Sequence, residues 1–301
     1  MAAMVVTTAS APPAPTSQRR AALAALVTVI LWASAFVGIR MIGDAYSPGA
    51  LAFGRVLVGA VVLGAIAFHY RRPLPRRGAL ALVIAYGVAW FGVYSAVLNL
   101  AEQHLDAGTA ALLVNVAPIL VAVFAGLFFG EGFPRPLVIG IVIAFAGVAL
   151  IGVGGSGGGT GNDGLGIVLG LVTAVLYASG VLLQKLALRK VDAFSATFLG
   201  CVVGAVALLP FAPQLVQETT TAPAGALATM VYLGVFPTAV AFSTWAYALA
   251  RTDAGRLSAT TLTVPAIAIV MSWVLLGELP TVLGMLGGSL CLLGVAISRR
   301  R

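Results

Sequence analysis

Long apolar runs separated by short polar or Gly/Pro-containing breaks dominate the chain. Ten can be marked, at about 21–42, 48–69, 78–100, 106–130, 135–153, 164–187, 193–212, 224–249, 256–277 and 281–298. Each is close to the roughly 20 residues that cross a bilayer as a helix. The pattern predicts an all-α integral membrane protein with ten transmembrane helices. Residues 1–18, rich in Ala, Pro, Thr and Ser without periodicity, read as a disordered tail. Arg19-Arg20 ahead of an apolar run resembles a secretion signal, but the run from Ala21 to Ile39 is long for one and many more follow. It reads as the first span.

The apolar pattern repeats. Asp106 to Glu131 (DAGTAALLVNVAPILVAVFAGLFFGE) returns 147 residues later as Asp253 to Glu278 (DAGRLSATTLTVPAIAIVMSWVLLGE), with Asp-Ala-Gly, Pro and Gly-Glu in matching places. The same offset pairs Gly140 with Gly287 and Gly147-Val148-Ala149 with Gly294-Val295-Ala296. The opening runs match too: Leu31-Trp32-Ala33-Ser34 answers Leu176-Tyr177-Ala178-Ser179, and Arg40 answers Lys185. The expected organisation is a tail (1–18), a first five-helix repeat (19–153), a Gly-rich extracytoplasmic linker (154–163) and a second five-helix repeat (164–301). Five spans per copy is odd, so the second copy inserts upside down. Inverted repeats place a pathway between the halves, opened alternately to either side.

Composition agrees with a bilayer. Of 301 residues 60% are hydrophobic and 9% charged, where a soluble domain carries about 25% charged residues. The mean hydropathy is +1.07. A net charge of +8 invites a nucleic-acid reading. It is excluded by placement, because 15 of the 17 basic residues fall in inner loops or at inner span ends when the N-terminus is cytoplasmic. The charge sets topology, with both termini on the cytoplasmic side. Cys201 and Cys291 lie inside apolar runs and read as small hydrophobes, not a disulfide.

The two five-helix copies, the Trp/Tyr-Ala-Ser segment of each opening helix, Arg55 in the second span and the doubled Pro…Gly-Glu…Gly…Gly-Val pattern resemble the EamA-type branch of the drug/metabolite transporter superfamily. The resemblance spans about residues 20–298. It implies a ten-helix carrier in the plasma membrane, often an exporter of amino acids or other small metabolites.

Candidate chemistry is sparse. Pro118 and Pro265 lie within the fourth and ninth spans, where each frees a carbonyl four residues back, Val114 and Thr261. In lipid such a carbonyl needs protein or water, so these kinks are expected to wall a cavity, with packing as the competing role. Tyr86, Trp90 and Tyr94, spaced by four, share a helix face. With Trp32, Tyr177, Trp245, Asn115, Gln184 and Thr261 they form the candidate substrate-binding set, suited to small, partly apolar molecules. Arg55 is read as structural, snorkelling outward or pairing with Glu102 or Asp106; binding a substrate carboxylate is its competing role. Glu131 and Glu278 close the fourth and ninth spans against the helix dipole, and are expected to accept from the free N–H groups of the following span.

All nine acidic residues sit at helix ends or in loops. Facilitated or exchange transport is therefore favoured over a carboxylate proton relay. Gly152–Gly157 and Gly154–Gly158 fit nucleotide-binding and nucleophile-elbow patterns, but the strand-turn-helix context is missing. Gly126/Gly130, Gly166/Gly170 and Gly200/Gly204 are small-residue packing faces that could seat a homodimer. An enzyme acting on a lipid-borne substrate is the alternative class, and no catalytic set, metal site or cofactor motif supports it. The partners expected are the bilayer and a small-molecule substrate.

Overall fold

The computed structural model describes residues 15–70, 79–129, 135–155, 164–252 and 254–298, and every regular element among them is helical. In chain order these are α1 (Pro15–Ile42), α2 (Pro48–His69), α3 (Leu80–His104), α4 (Ala107–Val114), α5 (Ala117–Phe129), α6 (Arg135–Gly155) and α7 (Gly164–Ala187). There follow α8 (Ala193–Ala207), α9 (Ala212–Thr221), α10 (Ala224–Leu249), α11 (Ala254–Thr260), α12 (Val264–Leu276) and α13 (Val282–Ser298). Five of them, α1, α2, α3, α7 and α10, are long and apolar enough to cross a membrane; α8 and α9 would make a sixth crossing bent by 56°. Shorter apolar helices fall within the four remaining predicted spans. Glu131, most of the 154–163 linker and residues 1–14 of the tail lie outside the described residues. The last four residues assigned to the tail are helical, since α1 already begins at Pro15, and a proline fits a helix's first turn.

Local signals set the helix ends. Asp106 caps α4, its carboxylate accepting from the Thr109 amide at 2.8 Å and the Thr109 hydroxyl at 2.6 Å. Asp192 does the same for α8, accepting from Phe194 N and Ser195 N at 3.1 Å. The first turn of α2 is finished from a distance: Glu218 on α9 accepts from Ser47 N at 2.9 Å. At the end of α12 Gly277 takes a left-handed φ of 69°, which glycine adopts without a Cβ clash.

Two backbone devices occur twice, 147 residues apart. The first is a break rather than a smooth kink. α4 ends at Val114 and α5 restarts at Ala117, with Pro118 in the first turn of the restart. Likewise α11 ends at Thr260, a 3-10 turn covers Thr261–Thr263, and Pro265 enters the first turn of α12. A proline there gives up an N–H that would be unpaired in any case. The mid-helix kink expected from sequence is thus corrected to an interrupted helix. The second device is a π-helical turn, at Gly87–Val93 within α3 and Gly234–Val240 within α10. Pro237 lies inside the second of these, and Thr238 Oγ1 donates to Leu233 O five residues back at 2.8 Å.

Packing crosses between the two copies of the pattern. α1 lies against α10 and α12, and α7 lies against α3, α4 and α5. α2 packs on the π turn of α10, while α8 packs on the π turn of α3. Close approach needs glycine here: a Cβ on Gly87 would come 3.0 Å from Gly200 O, and one on Gly234 2.7 Å from Arg55 O. The Gly166/Gly170 and Gly200/Gly204 faces are filled by the chain itself, by Leu105 and Leu113 in one case and by Tyr86 and Phe91 in the other. They are internal seams, not surfaces for a second copy.

Candidate functional site

Where the two breaks meet α1, the molecule forms a partly open cavity with about 490 Å³ of atom-free space, the solvent at its mouth included. Trp32, Ala35 and Phe36 of α1 form one wall, with Arg55 of α2 and Tyr94 and Leu98 of α3 beside them. Val114, Asn115 and Pro118 come from the first break, Thr261 and Val264 from the second, and Tyr177 and Phe242 complete the lining. The arrangement follows from the fold: an interrupted helix exposes end groups that a continuous one hides, and α1 and α7 carry aromatics at the matching position of each copy.

The polar chemistry of the lining is unspent. At the first break the Asn115 side chain donates through Nδ2 to Ala111 O at 2.9 Å, and its Oδ1 is buried without a hydrogen-bond partner among the described residues. Trp32 Nε1 and Arg55 Nε are unsatisfied in the same sense. Thr261 donates its hydroxyl proton to Ser258 O at 2.8 Å, which leaves its oxygen able to accept. A buried polar atom without a partner costs free energy, on the order of 1–3 kcal/mol. A ligand that supplies the partner recovers it.

The sequence-predicted residues separate into two layers. Trp32, Tyr94, Asn115, Tyr177 and Thr261 line the cavity, joined by Arg55 and Pro118 from the set taken as structural. Tyr86, Trp90, Gln184 and Trp245 stand behind it, each fully buried. Gln184 Nε2 donates to Tyr86 Oη at 2.7 Å, which fixes both side chains away from the opening. Trp245 meets Trp32 at a centroid distance of 4.9 Å, and Trp90 meets Tyr177 at 5.3 Å. These rings hold the lining rings in place. The even spacing of Tyr86, Trp90 and Tyr94 suggested one face, but the π turn between them rotates Trp90 onto Gly180. Pro265 is buried outside the lining. Phe36, Leu98 and Phe242 were not singled out in the sequence, although two carried a signal: Phe36 lies four residues after Trp32 and Leu98 four after Tyr94.

Glu278 has a different partner from the one expected. Its carboxylate accepts from Arg40 Nε at 3.1 Å and 3.4 Å, tying the end of α12 to the end of α1. The next helix is capped instead by Thr281, whose Oγ1 accepts from Gly284 N at 3.0 Å. A neutral hydroxyl suffices for that amide, while the guanidinium of Arg40 draws the charged group. The matching cation, Lys185, donates to Leu249 O at 2.6 Å and Thr252 O at 2.9 Å.

The sequence profile of the EamA-like transporter family matches twice, over residues 19–153 and 164–300. The chain belongs to that family. EamA-like proteins named for transport resemble it along nearly their whole length, and it is a multi-pass membrane protein of transporter type. One relative, the "Probable terminal-alkyne amino-acid exporter" of Streptantibioticus cattleyicolor, is 34% identical over 284 residues, covering 94% of each chain. Another, the "Probable amino-acid metabolite efflux pump" of Salmonella typhimurium, is 26% identical over 291 residues, or 93% of this chain and 95% of that one. A solved crystal structure shares the fold with a TM-score of 0.62 and 18% identity, over 93% of this chain and 97% of the other.

Proposed function

We propose that this EamA-like protein exports small metabolites, of the amino-acid class or related to it, across the plasma membrane by alternating access. In this reading ten spans form two inverted five-helix repeats, both termini are cytoplasmic, and the cavity is the central substrate site. The observation that carries it is the cavity itself. It is walled by one helix break from each copy of the repeat and presents unsatisfied buried polar atoms within an aromatic shell. Two relatives named for amino-acid export or efflux support the substrate class. Among the described residues the lining has no Asp, Glu, His, Cys or Lys, the side chains an enzyme most often uses as acid, base or nucleophile.

Flux tests the proposal. Purified protein in liposomes is loaded with a panel of amino acids, amines and nucleosides. The expected result is saturable exit of a subset of amino acids, reduced about tenfold by Asn115→Ala at unchanged protein abundance. Chemical turnover of a lipid without flux of any panel member would refute the carrier reading.

A further inference from the structure

Two ionisable side chains beside the cavity are left uncommitted by the fold. Arg55 is 3% exposed and lines the cavity. Its Nη1 makes a long 3.5 Å contact with Asn99 Oδ1, and its Nε has no partner among the described residues. Glu102 is 2% exposed, and neither carboxylate oxygen has a hydrogen-bond partner among the described residues. From sequence Glu102 counted as a span-end residue. Instead α3 runs on to His104 and keeps it inside the protein. It sits four residues beyond Leu98, which itself follows Tyr94 by four, so Glu102 lies one turn past the last lining residue of α3, on the same side of that helix.

The neighbouring charges are already engaged. Arg40 pairs with Glu278 and donates from Nη1 to the backbone oxygen of Glu102 at 3.3 Å, while Asp106 caps α4. Arg55 reaches Asn99, one helical turn before Glu102, yet no ion pair joins Arg55 to Glu102. A buried guanidinium and a buried carboxylate held apart in this way are each costly. The molecule that relieves both carries an anion for Arg55 and a cation for Glu102.

We propose that Arg55 and Glu102 are the two poles of a subsite for the zwitterionic head of an α-amino acid. The carboxylate lies on Arg55, the ammonium on Glu102, and the side chain against Trp32 and Tyr177. This deepens the exporter reading and rests on it for the substrate class. Asn99 is the positioning residue: it accepts from Arg55 while its Nδ2 donates to Pro48 O at 3.0 Å, which anchors the pair to the start of α2.

The test measures binding apart from flux. Binding to the solubilised full-length protein is read by tryptophan fluorescence, since Trp32 is in the wall. The tightest-binding standard amino acid is compared with its amide, which keeps only the ammonium, and with its deaminated acid, which keeps only the carboxylate. Each half-ligand is expected to bind wild type at least about tenfold more weakly, the scale of one lost charge-assisted hydrogen bond. Arg55→Gln should make the amide equal to the parent, and Glu102→Gln should make the deaminated acid equal to it. Thermal melting reports whether each variant folds. If a neutral variant does not fold, Arg55→Lys and Glu102→Asp carry the test, and each should shrink the contrast at its own pole alone. The proposal is overturned if no standard amino acid binds, or if parent and half-ligands bind wild type alike. It is also overturned if Glu102→Gln keeps the preference for the ammonium and abolishes only a proton dependence of flux, which would make Glu102 a proton carrier. Discriminating binding without flux in liposomes would remove the exporter reading and leave the subsite. Flux of amino acids without discrimination would do the reverse.

Discussion

The π turns of α3 and α10 stand at the same place in the two copies of the repeat and are filled in opposite ways. The turn in α3 carries Trp90 and Phe91, whose rings press on Gly180 and Gly200. That in α10 carries Pro237 and Thr238 and is packed by small contacts around Gly59 and Val58. The same division holds at the breaks. Asn115 in the first copy falls opposite Leu262 in the second, and Thr261 opposite Val114, while Pro118 and Pro265 agree. What the copies share is backbone geometry; what they do not share is side-chain chemistry. A symmetric frame can move in two equivalent ways while presenting one ligand with a single asymmetric surface.

That contrast can be broken by experiment. The largest expected effect is Trp90→Ala, which removes a fully buried ring and should cost about 3–5 kcal/mol in the unfolding of solubilised protein. Its counterpart Pro237→Ala should cost less than about 1 kcal/mol, because Thr238 Oγ1 already serves the Leu233 carbonyl. Equal losses would mean the π turns are alike in packing as well as in shape. Next, Gly87→Val and Gly234→Val should each destabilise by roughly 1–3 kcal/mol, since each Cβ meets backbone as well as side chain. Tolerance of one and not the other would break the backbone symmetry. Asn115→Leu should then lower flux about tenfold without changing the melting temperature, whereas Leu262→Asn should leave flux unchanged. The smallest effect belongs to Glu278→Gln. The Arg40–Glu278 pair is about one-quarter exposed on both sides and should be worth about 0.5–1 kcal/mol by a double-mutant cycle.

Much of this frame was legible in the sequence. Pro118 and Pro265 with their shared offset located both breaks, since proline constrains the chain locally wherever it falls. Trp32 and Tyr177 were legible for a related reason: the repeat itself placed them. The π turns were not, because an inserted residue in an all-apolar helix changes no polar pattern, and Tyr86, Trp90 and Tyr94 keep a spacing that an α-helix also gives. α9 was missed because ten residues of mixed polarity after Leu208 look like a loop until Glu218 reaches Ser47. The partner of Glu278 lies 238 residues away along the chain, at Arg40, so no local rule could supply it. Glu102 was misjudged by position: a helix end was taken to mean water, and packing around α2 and α1 put it inside.

α6 and α13 touch through bare backbone. A Cβ on Gly147 would collide with the carbonyl oxygen of Gly287, and one on Gly294 would meet Gly140 O at 2.5 Å; the Cys291 thiol donates to Ala144 O at 3.3 Å between them. Most helix contacts slide by letting side chains change rotamer, but a seam of glycines against backbone, with few side chains such as Cys291 and Ile151 in it, has little such freedom. These two helices therefore form a single strut made of one helix from each copy. In the alternating-access proposal, opening the cavity would swing the broken and π-turned helices about that strut, much as leaves turn on a fixed post.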